Sequence, residues 1–201
     1  MRPVTGSNPA QSSNYVSIQL TLGGHSFSIA TLPADVCNSS EPLLCIVDTP
    51  RVTLIPAEIF DSSIADSYLT LNGITCRKDE KCVYSEACNG VVAVMAIASM
   101  ALNELRSKFG ERVHFTTPLL DSTHQEEKKA LIISCSEHNT YLRLYNDGLR
   151  IAEAIETSSP NEILYYIARL SETTELGDTP IYIIGSKATK KAVKKYYKNV
   201  I

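Results

Sequence analysis

The sequence predicts an α/β protein in two halves, each a mixed sheet with flanking helices. Three observations carry this. The last third, Lys129 to Ile201, gives three short strand-like runs, a capped helix, another strand and a basic helix, which together make one complete mixed-sheet unit. The first half opens in a similar order, with a hairpin and a third strand ahead of its helices. Consecutive antiparallel strands followed by a helix crossing to a further strand build a mixed sheet. The duplication lies in element order, not in residue identity. A chain of 201 residues, 44% of them hydrophobic, suits one large domain or two small ones with a real core. We divide it into a flexible tail (1–14), a first half (15–120) and a second half (121–201).

The elements follow from periodicity and turn chemistry. Residues 1–14 are polar, with Pro3, Gly6 and Pro9. Tyr15 to Leu22 alternates apolar and polar, Gly23-Gly24 is a hairpin signal, and His25 to Ala30 alternates again and pairs back. Asn38 to Pro42 is a loop, Leu43 to Val47 an inner strand, and Arg51 to Ile55 another strand. Pro56 suits the first position of a short helix through Phe60, and Ser63 to Leu71 a second helix stopped by Asn72-Gly73. Cys82 to Cys88 and Val91 to Ile97 flank the hairpin signal Asn89-Gly90. Ala98 to Phe109 reads as a helix ended by Gly110, and Arg112 to Thr116 as a strand. Asp121 to Glu127 is a polar link between the halves.

In the second half, Ala130 to Ser134, Thr140 to Tyr145 and Leu149 to Ala154 are strands joined by turns at Glu137-His138-Asn139 and Asn146-Asp147-Gly148. Ser159-Pro160-Asn161-Glu162 has the form of a capping box with Pro at the first helical position. The helix it opens carries Ile163, Leu164, Ile167 and Leu170 as an apolar stripe. Ile181 to Ile184 is a buried strand, and Gly185-Ser186 turns into a last helix. There Lys187, Lys191, Lys194 and Lys198 share one face, away from Ala188, Ala192 and Tyr196.

Charge narrows the function. A formal net charge of −3 rules out gross affinity for DNA, so nucleic acid is not an expected partner. The charge is uneven: Asp121 to Pro180 holds 5 basic and 11 acidic residues, whereas Ile181 to Ile201 holds 6 Lys and no acid. The lysines suit a solvated face and a helix C-terminus. As a site, Lys187, Lys191, Lys194 and Lys198 are the candidate partner-binding residues. The longest apolar stretch, Val91 to Leu102, is 12 residues, too short for a membrane span. The N-terminus has no apolar signal core. The 6 cysteines form no C-x-x-C pair and no common zinc spacing, and reduced thiols in the cytoplasm account for them. No metal site and no catalytic set is read. Cys135 and His138 lie at a strand end without a placed partner, the remaining histidines His25, His114 and His124 are scattered, and there is neither a G-x-S-x-G elbow nor a P-loop. Of Tyr165-Tyr166 and Tyr196-Tyr197, one ring of each pair faces the core and the other is free for contact.

Several segments together carry a resemblance. These are Thr49-Pro-Arg-Val-Thr-Leu-Ile-Pro56, Glu58-Ile-Phe60, Tyr68-Leu-Thr-Leu-Asn72, Thr117-Pro-Leu-Leu120, Leu142-Arg-Leu-Tyr-Asn-Asp-Gly-Leu149, Glu162-Ile-Leu-Tyr-Tyr-Ile167 and Ile181-Tyr-Ile-Ile-Gly185. In order and spacing they resemble an uncharacterised bacterial family, domain of unknown function 3822. The family is similar to the actin-like (ASKHA) fold of pilus-assembly and cell-division actin homologues, which has duplicated ribonuclease-H-like halves. The resemblance implies that nucleotide-binding members hold ATP between the halves, with acidic and glycine residues of each opening hairpin on the phosphates and Mg2+. Here the first hairpin offers Ser17 and Gln19, and the second Ser134, Cys135 and Ser136, with no aspartate. Of the paired glycines of the late adenosine-contacting turn, one stands, in Gly185-Ser186, the candidate cofactor-binding residues for ATP. The expected function is therefore a non-catalytic actin-like interaction or scaffold protein in the cytoplasm, contacting an unknown protein through the basic last helix and the cleft between halves. A nucleotide-binding switch with weak or no ATPase activity is the alternative.

Overall fold

The computed structural model describes residues 16–21, 40–124 and 127–201, with backbone only for 16–21. The tail, Gly23-Gly24, the return strand His25 to Ala30 and Cys37 lie outside the described residues. The chain forms two compact units, Met1–Asp121 and Ser122–Ile201.

The first unit holds two three-stranded sheets. In one, β1 (Val16–Thr21), β2 (Leu43–Asp48) and β6 (Val113–Thr116) run parallel in the order β1-β2-β6. Between β2 and β6 the chain inserts the other: β3 (Val52–Pro56), β5 (Val91–Ala98) and β4 (Glu80–Tyr84), antiparallel in the order β3-β5-β4. Central β5 is buried from Val92 to Ile97, which is why it reads as one apolar run with no alternation. Helix α1 (Ala65–Leu71) buries Ala65 and Leu69 against Ile55, Val94 and Ala96. Helix α2 (Ser99–Phe109) buries Ala101, Leu102, Leu105 and Phe109 and ends at Gly110, whose φ is 60°.

In the second unit β7 (Lys129–Cys135), β8 (Asn139–Asn146), β9 (Leu149–Glu156) and β10 (Ile181–Ile184) form one mixed sheet in the order β10-β7-β8-β9. The β7–β8 and β8–β9 pairs are antiparallel, and β10 lies parallel to β7. Helix α3 (Pro160–Thr173) lays Ile163 and Ile167 on Leu131, Ile133, Leu142 and Leu144. Helix α4 (Lys187–Val193) adds Val193 to that core. The opposite sheet face carries Ala130, Ile132 and Tyr145 with Tyr182 and Ile184. The link ties onto it: His124 stacks on Tyr182 at 3.9 Å, and the Tyr182 hydroxyl donates to Glu127 at 3.0 Å.

Several expectations need correction. The last helix stops at Val193, with Lys194 as its C-cap, so Lys198 lies in a turn beyond it and four lysines do not share one helical face. The reason is that residues 199–201 pair with the edge of β10: Ile181 N–H donates to the Asn199 carbonyl at 2.9 Å and Ile201 N–H to the Ile181 carbonyl at 3.0 Å, an extended pairing that a continuing helix cannot make. Pro56 is the last residue of β3, not a first helical residue: it pairs with Val91, and the Ala57 N–H after it donates to the Gly90 carbonyl just before β5. The strand read as Cys82 to Cys88 is instead β4, Glu80–Tyr84; beyond it Ser85 bridges to Phe115 and Cys88 to Val91 as isolated bridges. The capping box closes one residue early. Ser159 makes no side-chain cap, and the Glu162 carboxylate accepts from Ser158 N–H and Oγ, each at 2.7 Å. Finally, β2 pairs parallel with β1, whereas β9, the third strand of the second unit, pairs antiparallel with β8. The strand that matches β2 in kind is β10.

Candidate functional site

Where β7 turns into β8 and β10 turns into α4, the second unit brings together the residues that the resemblance singles out. The β7–β8 turn is tied to itself. Ser136 N–H donates to the Asn139 carbonyl at 2.8 Å, Ser136 Oγ donates to the same oxygen at 3.2 Å, and Asn139 N–H donates back to Ser136 Oγ at 3.1 Å. Thr157 N–H closes on the His138 carbonyl, and Thr140 and Thr157 share a buried hydroxyl contact of 2.8 Å.

Gly185 sits beside this turn with φ +88°. A Cβ there would land on the Cys135 backbone carbonyl, far inside contact distance. Glycine is thus required twice over, by backbone conformation and by the approach of β10 to β7. Ser186 is equally committed. Its hydroxyl accepts from Thr189 N–H at 3.1 Å and from Thr189 Oγ1 at 2.9 Å, which caps α4. The Cys135 thiol packs against the core under these residues. Burial raises its pKa, with Thr189 and Thr140 opposing through hydrogen bonds. A thiol held protonated is a poor nucleophile. His138 stays exposed, with its Nε2 4.0 Å from Glu137, and the structure does not join it to Cys135 as a dyad.

The residues of this turn do not fit a Mg2+–triphosphate. Ser134, Cys135 and Ser136 supply no carboxylate for a hard cation. The Ser136 amide and hydroxyl already donate to Asn139, and the Ser186 hydroxyl oxygen already accepts from Thr189. Among the described residues no three His, Cys, Asp or Glu side chains gather as a metal set. Cys45, Cys76, Cys82 and Cys135 are free thiols, and burial pushes Cys82 up to about 11.

The lysines are divided. Lys187 and Lys191 lie on α4, Lys194 ends it and Lys198 follows, all exposed and none in an ion pair among the described residues. Tyr166 and Tyr197 pack on the core, whereas Tyr165 and Tyr196 are 59% and 72% exposed.

Two features escape the sequence pattern. Arg143 is fully buried at mid-β8, although alternation assigns it to a polar outer face. The first unit also carries a second apolar stripe, exposed Ile64 and Leu71 with half-buried Tyr68 between them, beside the buried stripe Ala65 and Leu69. The signal was present: apolar residues at i, i+4 and i+7 in addition to the core pair make the helix apolar over more than one face.

Comparison with known proteins places this geometry. A family model described as protein of unknown function (DUF3822) matches residues 43–200. The chain belongs to this family. A Bacteroides thetaiotaomicron protein with an actin-like ATPase fold and unknown function superposes with a TM-score of 0.71 at 19% identity, covering 83% of this chain and 70% of that one. The DUF3822 chain therefore has an actin-like fold. The type IV pilus biogenesis complex of PilM and PilN gives a TM-score of 0.47 at 12% identity, covering 81% and 69%. The cytoplasmic domain of EpsL, an inner membrane component of the Vibrio cholerae type II secretion system, gives 0.43 at 9%, covering 86% and 83%. At these scores neither adds to the argument. No curated protein matches the chain by sequence. No helix among the described residues is long and apolar enough to cross a membrane.

Proposed function

We propose that this DUF3822 chain is a non-catalytic, actin-like interaction protein of the cytoplasm. The observation that carries this reading is the β7–β8 turn, where the Ser136 amide and hydroxyl are spent on Asn139 in place of a ligand. The explanations of Gly185 by close packing and of Ser186 by capping point the same way. Free thiols suit a reducing compartment. The contact surface for a protein partner is the exposed Lys187, Lys191, Lys194 and Lys198 with Tyr196 beside them.

The test is thermal unfolding with and without millimolar ATP and Mg2+. We expect no change in Tm. A native state with a nucleotide site filled at 100 times its Kd would gain about 2.7 kcal/mol, a shift of several degrees. Such a rise would overturn the reading in favour of a nucleotide-binding switch.

A further inference from the structure

The segment that joins α1 to β4 is bracketed by two cysteines, Cys76 and Cys82. The structure folds its two limbs onto one place. Arg51 Nη2 donates to the Thr75 carbonyl at 2.6 Å and to the Glu80 carboxylate at 2.9 Å, so the limbs that carry the cysteines share one guanidinium. Glu80 N–H donates to the Arg77 carbonyl at 3.0 Å and Arg77 N–H to the Glu80 carboxylate at 2.8 Å, which turns the chain back on itself between them. Both cysteines then pack, half-buried, on the same cluster under α1, formed by Ile55, Ala65, Leu69, Val94 and Ala96. The Asp66 carboxylate raises the pKa of both thiols, and Cys76 raises that of Cys82, influences that fall off with distance. The two thiols are therefore neighbours on one side of the inserted sheet.

We infer that Cys76 and Cys82 are a reversible oxidation site, which closes to a disulfide when the protein meets a hydroperoxide. The Cys76 sulfur attacks a peroxide oxygen and the O–O bond breaks. Cys76 becomes a sulfenic acid, and its thiol proton leaves with the departing hydroxide as water when the oxidant is hydrogen peroxide. The Cys82 sulfur then attacks the Cys76 sulfur. The S–S bond forms, the S–O bond breaks, and the second water leaves with the Cys82 proton. Two thiols are oxidised and one peroxide is reduced to two waters. Cys76 takes the first step because Arg51 and Lys81 favour its thiolate, whereas no cation offsets the burial of Cys82. Cys82 follows at the short range that its packing supplies. The other described cysteines lack such a neighbour: Cys45 is fully buried, Cys88 lies past the far end of β4, and Cys135 belongs to the other unit. The bond ties the segment after α1 to β4, and a thiol reductant reopens it.

Peptide mapping of the full chain tests this, after a small excess of hydrogen peroxide and alkylation of the remaining thiols. Cleavage after Arg77, Lys81 and Glu86 leaves Cys76, Cys82 and Cys88 on separate peptides. The expected product is a linked Cys76–Cys82 pair, lighter by two hydrogens than the two thiol peptides together. It should exceed every other pairing about tenfold and disappear on reduction with dithiothreitol. Cys82→Ser should lose the link and hold the oxidation at Cys76 as a sulfenic or sulfinic acid. In the wild type, oxidation that ends as separate sulfinic acids on Cys76 and Cys82 shows that the two sulfurs do not meet and overturns the inference. A linked pair that forms only after unfolding in urea, or that is no more frequent than links to Cys37 or Cys88, overturns it equally.

Discussion

The two units are built by different kinds of pairing. In the second, β7, β8 and β9 follow one another as antiparallel neighbours joined by tight turns, and only β10 returns from a distance to lie parallel on β7. In the first, parallel neighbours β2 and β6 enclose a whole antiparallel sheet between them in sequence. Local pairing writes itself into turn residues, as at Asn89-Gly90, where both φ angles are positive. Distant pairing leaves a mark only where backbones crowd, and in the second unit that mark is Gly185 against Cys135.

Alanine at two glycines breaks this comparison most sharply. Gly185→Ala meets both a left-handed backbone and the Cys135 carbonyl, and should cost about 4 kcal/mol in urea unfolding. Gly90→Ala meets the same backbone strain at φ +78° with open space around it, and should cost about 1 kcal/mol. Equal costs would mean that close approach plays no part at β10.

The cores can be compared next. Leu69 and Ile167 are both fully buried, one under α1 on the inserted sheet and one under α3 on the mixed sheet. Leu69→Ala and Ile167→Ala should each cost about 3 kcal/mol. Hydrogen exchange should show the lost protection centred on β3 and β5 for the first and on β7 and β8 for the second. Protection lost uniformly over the chain in both variants would deny that the two units have separate cores.

The smallest effect tests the shifted capping box. Ser158 holds the exposed Glu162 carboxyl below its usual range through its hydroxyl and N–H. A depressed pKa contributes stability above the unfolded value of about 4.3, lost as pH falls through the folded value. The stability gap between wild type and Glu162→Gln should therefore be constant above about pH 5 and close below about pH 4. A gap unchanged by acid would mean that the carboxylate contributes nothing at this helix start.

Much of the fold was legible because it rests on local chemistry. The strands of the second unit, the apolar stripe of α3 and the glycine stop of α2 each follow from periodicity or from a turn residue within a few positions. The end of α4 was not legible: lysines at helical spacing continue past Val193, but the pairing of residues 199–201 with β10 ends the helix there. At the candidate site, the absence of an aspartate from Ser134-Cys135-Ser136 was plain in the sequence. The commitment of the Ser136 donors to Asn139 and of the Ser186 oxygen to Thr189 was not, since it depends on which groups the turns bring within hydrogen-bonding distance.

By itself the sequence determined the order of elements, the local turns, the segregation of charge and the family. Each of these is set by neighbours along the chain. Tertiary structure alone decided that β2 and β6 are neighbours, that Arg143 is buried, that Gly185 touches Cys135 and that Ile59, Ile64 and Leu71 face outward. Those outcomes depend on which distant surfaces cover one another, and no local period encodes that.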